Sequence, residues 1–272
     1  RFGDWLVWYV SHMASEYGSN GICLDEMWMT GCSNPAHGCG YVGPDGKRRL
    51  TYALRAANET YRRLRQFFHD RGEPFWLTYH ISCGRVPPLP TFGDCLLMLE
   101  ERYTAVSQNP DYLENTRPDQ LRAHYPRAWG IPVVALPQFK MSGDWMKDPQ
   151  LAHRFMAAIV PHDLMVWPCF ADTGEIMRIR DALMAFGIGE ADADFLGYWQ
   201  SDSGISCPDQ RVMVSAYTRP GALLLCVTNA CAEPIDALPI TLDPGRLRLA
   251  LTAATDALTG EELSIRGQTI VL

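Results

Sequence analysis

Hydrophobic positions along the first 190 residues fall into two alternating patterns. Apolar residues at near-helical spacing predict helices over 3–17, 51–70, 149–159 and 175–186. Between these stretches lie short, uninterrupted apolar runs, which are typical of strands buried on both faces. The predicted strands are GICLDE from residue 21, FWLTYHIS from 75, CLLMLEE from 95, IPVVALPQF from 131 and DLMVWPCF from 163.

This alternation predicts an α/β fold built on a parallel sheet. Five strand units before residue 190 fit the C-terminal part of a (β/α)8 TIM-type barrel, which we predict as a partial, catalytic barrel over 1–192. We expect a missing N-terminal portion of the same protein to complete it, since the chain begins at Arg1 without a methionine. An open doubly wound sheet is the alternative, but no Gly-rich phosphate loop follows any strand.

The pattern changes after Gly189. Short strand-like segments separated by turn residues follow, among them RVMVSAYTR, ALLLCVTNA and LSIRGQTIVL. Such spacing predicts an all-β module. We therefore predict a second domain over 193–272, a small β-sandwich.

Composition narrows the class of partner. The 272-residue chain is 47% hydrophobic, enough for sizeable cores, and carries a formal net charge of −7. An acidic surface argues against nucleic acid and against anionic membranes as partners. No apolar run approaches the roughly 18 residues of a membrane helix. We expect neither a nucleic-acid nor a membrane partner.

Two of the nine cysteines, Cys32 and Cys39, bracket a polar loop rich in Gly and Pro. They are candidates for a loop-closing disulfide, which would indicate an extracellular or periplasmic location; free thiols are the alternative. A zinc site of Cys32, His37 and Cys39 has unusual spacing and lacks a fourth ligand. We expect no metal and no cofactor.

Chemistry-bearing side chains recur where the predicted strands end. Active sites of TIM-type barrels lie at the carboxyl ends of the strands. The catalytic candidates there are Asp25, Glu26 and Glu100, and the substrate-binding candidates are Trp28, Tyr79, His80, Gln138 and Trp167.

This set of side chains suits a carbohydrate. Aromatic rings cover the apolar faces of sugars, and glycosidic cleavage needs an acid and an anion, which paired carboxylates supply. Neighbouring carboxylates also raise one another's pKa, which keeps one of them protonated. Simpler roles stay open: Asp25 as a turn cap, Glu100 as a solvated helix start, His80 and Trp167 as core residues.

Three segments, GICLDEMW, CSNPAHGCGYVGPDGKRRLTYALRA and FGDCLLMLEERY, resemble glycoside-hydrolase-like proteins related to glycoside hydrolase family 123. The resemblance covers most of the chain. It implies a substrate-assisted mechanism in which Asp25 orients the N-acetyl group of the sugar and Glu26 is the acid. A Phe-x-Asp-x5-Glu segment of the family matches Phe92, Asp94 and Glu100. This match adds Asp94 to the substrate-binding candidates and makes Glu100 a reserve carboxylate. A glycine usually precedes that glutamate in the family, and Leu99 occupies the position here.

The sequence thus predicts a glycosidase that acts on a β-linked sugar, an N-acetylhexosaminide by the resemblance, with a carbohydrate as its partner. Two alternatives remain. One is a non-catalytic carbohydrate-binding protein that keeps the aromatic side chains. The other is a lyase that uses Tyr79 and His80 as acid and base.

Overall fold

The computed structural model describes residues 2–25, 31–81, 89–124 and 130–272. It has a mixed α/β fold with one five-stranded parallel sheet and several antiparallel sheets. The described helices are α1 (Phe2–Tyr17), α2 (Leu54–Asp70), α3 (Tyr103–Gln108), α4 (Tyr112–Asn115), α5 (Pro118–His124), α6 (Pro149–Ile159), α7 (Thr173–Phe186) and α8 (Pro244–Leu247).

The strands follow the same chain order. The first seven are β1 (Gly21–Leu24), β2 (Tyr41–Val42), β3 (Arg48–Arg49), β4 (Trp76–His80), β5 (Cys95–Met98), β6 (Val133–Ala135) and β7 (Met165–Val166). The remaining strands are β8 (Asp194–Leu196), β9 (Ile205–Ser206), β10 (Val212–Arg219), β11 (Ala222–Asn229), β12 (Pro239–Leu242), β13 (Ser264–Arg266) and β14 (Thr269–Val271).

The parallel sheet has the order β1-β4-β5-β6-β7. Its register places Leu24 beside Tyr79 and His80 beside Leu97, so the carboxyl ends of β1, β4 and β5 lie along one edge. Each of the five predicted strand segments contributes one strand. The prediction of a parallel α/β sheet is therefore confirmed, while closure into a barrel remains a prediction.

The chain divides into two compact units, and the first contains residues 1–101 and 130–133. Helix α2 buries Tyr61, Leu64 and Phe68, which recur at the three- and four-residue spacing of one helix face. The ring of Phe68 stacks on Phe75 just before β4, with ring centroids 4.0 Å apart. This contact fixes α2 against the sheet.

The second unit contains residues 102–129 and 134–272. Antiparallel sheets of order β11-β10-β8 and β13-β14-β12-β9 make up its tail, as the turn-rich sequence predicted. Both sheets contribute to one hydrophobic cluster, which includes Val214, Ile240 and Ile270. The sandwich arrangement and the boundary between residues 192 and 193 remain predictions.

Among the residues described, no helix combines the length and the apolar character needed to cross a membrane.

Candidate functional site

One imidazole and two carboxylates meet in the first unit. Asp25 directly follows β1, His80 is the last residue of β4, and Glu100 opens a short 3-10 helix just after β5. Because these strands are parallel neighbours, their carboxyl ends bring the three side chains together. Nδ1 of His80 lies 2.5 Å from Oδ1 of Asp25, in hydrogen-bond contact. Nε2 of His80 lies 3.0 Å from Oε2 of Glu100.

The three groups differ in their exposure to solvent. The side chain of His80 is only 12% exposed, that of Glu100 is partly exposed, and that of Asp25 is 74% exposed. The imidazole is thus held within the protein while the Asp25 carboxylate remains open to a ligand.

This arrangement requires at least one proton beyond the one that His80 shares with Asp25. The contact between Nε2 and Glu100 has an ion-pair distance but not the direction of a hydrogen bond. A bare Nε2 so close to an ionised carboxylate would be repulsive, since both atoms then present lone pairs. Either the ring is an imidazolium or one of the two carboxyls carries a proton. The cluster can therefore hold a proton next to an exposed carboxylate.

The backbone just before Glu100 is strained. Leu99 has a φ of 84°, in the region that favours glycine, although its side chain is completely buried. Its N–H donates to Oε2 of Glu101 at 3.0 Å. Strain of this kind persists only where the surrounding structure enforces it, and it recurs at functional sites.

Two of the predicted site residues, Glu26 and Trp28, lie outside the described residues. The pairing of Asp25 with Glu26 therefore stays a prediction. Asp25 itself lies at the predicted strand end.

Tyr79 lies in the core of the first unit. Its side chain is 1% exposed, and its ring packs against Tyr61 and over Gly93, where an added Cβ would lie 2.5 Å from the ring. Burial raises the pKa of its phenol. The phenol finds no hydrogen-bond partner among the described residues. A substrate-binding role for Tyr79 stays a prediction, and this burial does not favour it.

Asp94 lies at the opposite end of β5 from Glu100, and its role in substrate binding stays a prediction. It comes just before β5, at the amino end of that strand. Its carboxylate accepts hydrogen bonds from Arg65 at 2.6 Å and from the backbone N–H of Leu77 at 2.7 Å. The six-residue spacing to Glu100 spans the whole strand, so the two carboxylates mark opposite edges. Asp94 anchors α2 to the sheet.

Gln138 and Trp167 belong to the second unit. Gln138 is completely buried, and its backbone N–H donates to the Tyr112 hydroxyl at 3.0 Å. Its Oε1 has no hydrogen-bond partner within the described part of the chain. Trp167 directly follows β7 and is exposed. Both follow strand ends, as predicted.

The second unit also carries an aromatic cluster that is not among the predicted site residues. The Lys140 ammonium lies 5.7 Å from the ring centroid of Tyr103 and 5.4 Å from that of Phe170. Both rings are exposed. Lys140 lies two residues after Gln138. Its position soon after the end of β6 is the feature of the sequence that could have identified it as a site residue.

Cys32 and Cys39 are free thiols in the structure, which does not contain the predicted disulfide. Hydrogen bonds from the Asn34 backbone and then from His37 lower the pKa of the Cys32 thiol. The hydrogen bond with Cys32 raises the pKa of the Cys39 thiol. The three side chains form one group, with Cys32 Sγ 3.5 Å from Nδ1 of His37.

No protein-family model and no curated protein matches the chain. The resemblance to family 123 proteins therefore stays a prediction. The case for a function depends on the geometry of the described residues.

Proposed function

We propose that this chain carries the acid-catalytic site of a glycoside hydrolase that acts on a β-linked sugar. The observation that supports the proposal is the bracketing of His80 by Asp25 and Glu100 at three neighbouring strand ends. Glycosidic cleavage needs a proton for the leaving oxygen and an anion beside the oxocarbenium-like centre. A cluster with two carboxylates and a proton meets both requirements.

The roles follow from exposure and position. Asp25 is the exposed carboxylate, fixed by His80, and it orients an N-acetyl group or stabilises the developing positive charge. Glu26, its neighbour along the chain, is the proposed general acid, and Glu100 is the alternative acid. The His80 ring stands between Asp25 and Glu100, whereas a retaining pair needs carboxyls about 5 to 5.5 Å apart. This arrangement favours substrate assistance, which requires no second carboxylate at that distance.

We also propose that the parallel sheet is the later part of a (β/α)8 barrel, completed by an N-terminal portion of the same protein. Polar groups at the carboxyl ends of its strands support this, because barrel active sites lie there. The antiparallel tail is proposed to be a sandwich, supported by the hydrophobic cluster that both of its sheets share.

The test is hydrolysis of aryl glycosides, including aryl N-acetylhexosaminides, and of a matching natural disaccharide. On the disaccharide, Asp25→Asn and Glu26→Gln should each lose about 10² to 10⁴ in rate, as expected for loss of acid catalysis or its partner. A good aryl leaving group should rescue Glu26→Gln but not Asp25→Asn, because only the former lacks the proton donor. Glu59→Gln, which removes an exposed carboxylate paired with Arg62, is the matched control. Full activity of Glu26→Gln with an inactive Glu100→Gln would move the acid to Glu100.

A non-catalytic carbohydrate-binding protein is the second candidate, favoured by the exposed rings of Tyr103 and Phe170 beside Lys140 and by Trp167. Exposed aromatic rings are what stack on sugar faces. In that case the parent chain hydrolyses nothing, and the carboxylate variants bind sugar as it does. A lyase would release an unsaturated, ultraviolet-absorbing product, and the burial of Tyr79 counts against it.

A further inference from the structure

The loop after the first catalytic candidate gathers three soft metal ligands. Among the described residues, Cys32, His37 and Cys39 each offer a ligand atom, and these atoms all lie within 4.8 Å of one another. Thiolate and imidazole are the ligands that suit zinc. The spacing along the chain argued against such a site, but a turn between the cysteines places their side chains together.

One measured distance matches a tetrahedral zinc site. Zinc binds thiolate at about 2.3 Å and imidazole at about 2.0 to 2.1 Å, so a tetrahedral angle separates sulfur and nitrogen by roughly 3.5 Å. The distance from Cys32 Sγ to His37 Nδ1 is 3.5 Å. One edge of the ligand tetrahedron is therefore already in place.

The backbone holds these ligands independently of a metal. Cys32 and Thr51 exchange two backbone hydrogen bonds, at 2.9 and 3.0 Å, and the Thr51 hydroxyl accepts from the N–H of Gly40 at 2.8 Å. Arg48 donates to the carbonyls of Ser33 and Cys39, each at 2.5 Å. Both ends of the loop are thereby fixed.

A short turn then sets the position of the histidine. The residues Pro35–His37 form one turn of 3-10 helix, which the Asn34 side chain caps by accepting from the N–H of Ala36 at 2.9 Å. Gly38 follows with a φ of 71°, which glycine adopts without strain. His37 is exposed while the two cysteines are half-buried, so the open side of the group faces solvent.

We infer that Cys32, His37 and Cys39 form a zinc site with three protein ligands and one position open to water or an external ligand. Binding displaces the two thiol protons. Zinc takes the place of the proton on Nδ1 of the neutral His37 ring, and that single ring proton moves to Nε2. This site is distinct from the His80 cluster and does not depend on the proposed function.

Asn34 supplies a sharp test of this geometry. Its amide nitrogen lies 3.3 Å from Nε2 of His37, where it serves as a donor in the metal-free loop. When zinc binds Nδ1, Nε2 carries the ring proton and becomes a donor. It then faces the Asn34 amide nitrogen, which is also a donor, and the contact is repulsive. Asn34→Asp keeps the cap and offers Nε2–H a carboxylate oxygen, the partner that commonly supports zinc-bound histidine.

The experiment is a titration of the reduced, chelator-stripped full chain with Zn²⁺ against a chromogenic chelator, and with Co²⁺ followed by absorbance. We expect one tight equivalent of Zn²⁺ and a thiolate-to-Co²⁺ charge-transfer band. Cys32→Ser and Cys39→Ser should abolish both, and His37→Gln should weaken binding more than tenfold. Cys207→Ser, which alters a half-buried thiol of the tail, should leave binding unchanged.

Asn34→Asp should tighten Zn²⁺ binding by about tenfold, the scale of supporting contacts to metal ligands. Ala36→Asp adds the same charge to the same turn and should have a smaller effect. Zinc binding that survives the double variant Cys32→Ser/Cys39→Ser would overturn the proposal. So would a chain, purified without chelator, that holds no zinc and carries a Cys32–Cys39 disulfide by peptide mapping.

Discussion

His80 contacts a different carboxylate with each of its ring nitrogens. Nδ1 meets Asp25, the residue open to solvent, and Nε2 lies beside Glu100. Because the ring is sheltered, His80 acts through its partners rather than on a ligand directly. We therefore interpret His80 as a positioning residue for Asp25. Its second contact, with Glu100, holds a proton in the cluster.

Two amide substitutions separate these contacts. His80→Asn places a donor near the Nδ1 position, and His80→Gln places one near Nε2, so each retains one carboxylate contact. If Asp25 is the catalytic partner, His80→Asn should keep more activity than His80→Gln. The measurement is kcat and KM across pH for both variants. Equal loss in both, with unchanged pH profiles, would mean that the ring only fills space.

The backbone of Leu99 has a conformation that residues with a side chain disfavour. Leu99→Gly and Leu99→Ala both remove the buried side chain, which costs about 2 to 5 kcal/mol. At a φ of 84°, however, alanine keeps a conformational penalty of about 1 to 2 kcal/mol, which glycine does not have. We expect Leu99→Gly to be the more stable of the two variants in chemical denaturation. At Leu97, a buried residue of β5, the order should reverse because regular strands disfavour glycine. A Leu99→Ala variant at least as stable as Leu99→Gly would contradict this account of strain.

At the scale of elements, one ion pair connects α2 to the parallel sheet. Arg65 of α2 donates to Asp94 and also to the carbonyls of Phe75 and Phe92, at 2.9 and 2.5 Å. The Asp94 carboxylate in turn accepts from Leu77 at the start of β4. The side chains of Arg65 and Asp94 therefore connect α2, the starts of β4 and β5 and the turn before β5.

Removal of the Asp94 carboxylate should destabilise the first unit without acting on chemistry. Asp94→Ala leaves the buried N–H of Leu77 without its acceptor, which costs about 1 to 3 kcal/mol. Asp94→Asn keeps an acceptor and should cost less. Glu59→Ala, which breaks an exposed pair with Arg62, should cost less than either, because exposed ion pairs contribute little to stability. Urea denaturation gives these values. If Asp94→Asn has normal stability but no longer binds sugar, the predicted role of Asp94 in substrate binding would be supported instead.

At the scale of the whole molecule, a buried histidine makes stability depend on pH. His162 is 1% exposed, contacts the Ala158 carbonyl at 2.8 Å and the Tyr198 hydroxyl at 3.2 Å, and stacks on Trp199. Burial is the main cause that lowers its pKa to about 4. The folded chain therefore keeps this ring neutral under conditions where the unfolded chain protonates it.

The sign follows from proton uptake. Above an unfolded pKa of about 6.5 both states are neutral, and His162 adds no pH dependence. As pH falls from about 6.5 toward 4, the unfolded state binds a proton that the folded state does not, so the free energy of unfolding falls by up to about 1.4 kcal/mol per pH unit. His162→Asn, which keeps a donor for Ala158, should flatten this decline. His69→Asn, at an exposed histidine, should not. Denaturation curves between pH 7 and 4.5 decide the matter, and equal slopes in both variants would exclude His162 as the cause.

The sequence by itself determined the long helices and the strands of the parallel sheet. Helix α6 spans Pro149–Ile159 as predicted, because Asp148 caps it and Pro149 suits its first turn. Helix α7 ends before Gly187, whose φ of 91° only glycine adopts readily. Short apolar runs identified the five strands of the parallel sheet, since strands covered on both faces need no alternation. These are local signals, and local chemistry is sufficient to decide them.

Only the tertiary structure decided which of the candidates meet. Asp25 and His80 are 55 residues apart along the chain, and strand pairing brings them into contact. Asp94 and Glu100 are close in sequence, yet the strand between them sends one to each edge of the sheet. Likewise, chain spacing argued against a group of Cys32, His37 and Cys39, and a single turn of 3-10 helix assembled it. Spacing along a chain does not predict distance in space, because strand order and turns decide which residues come together.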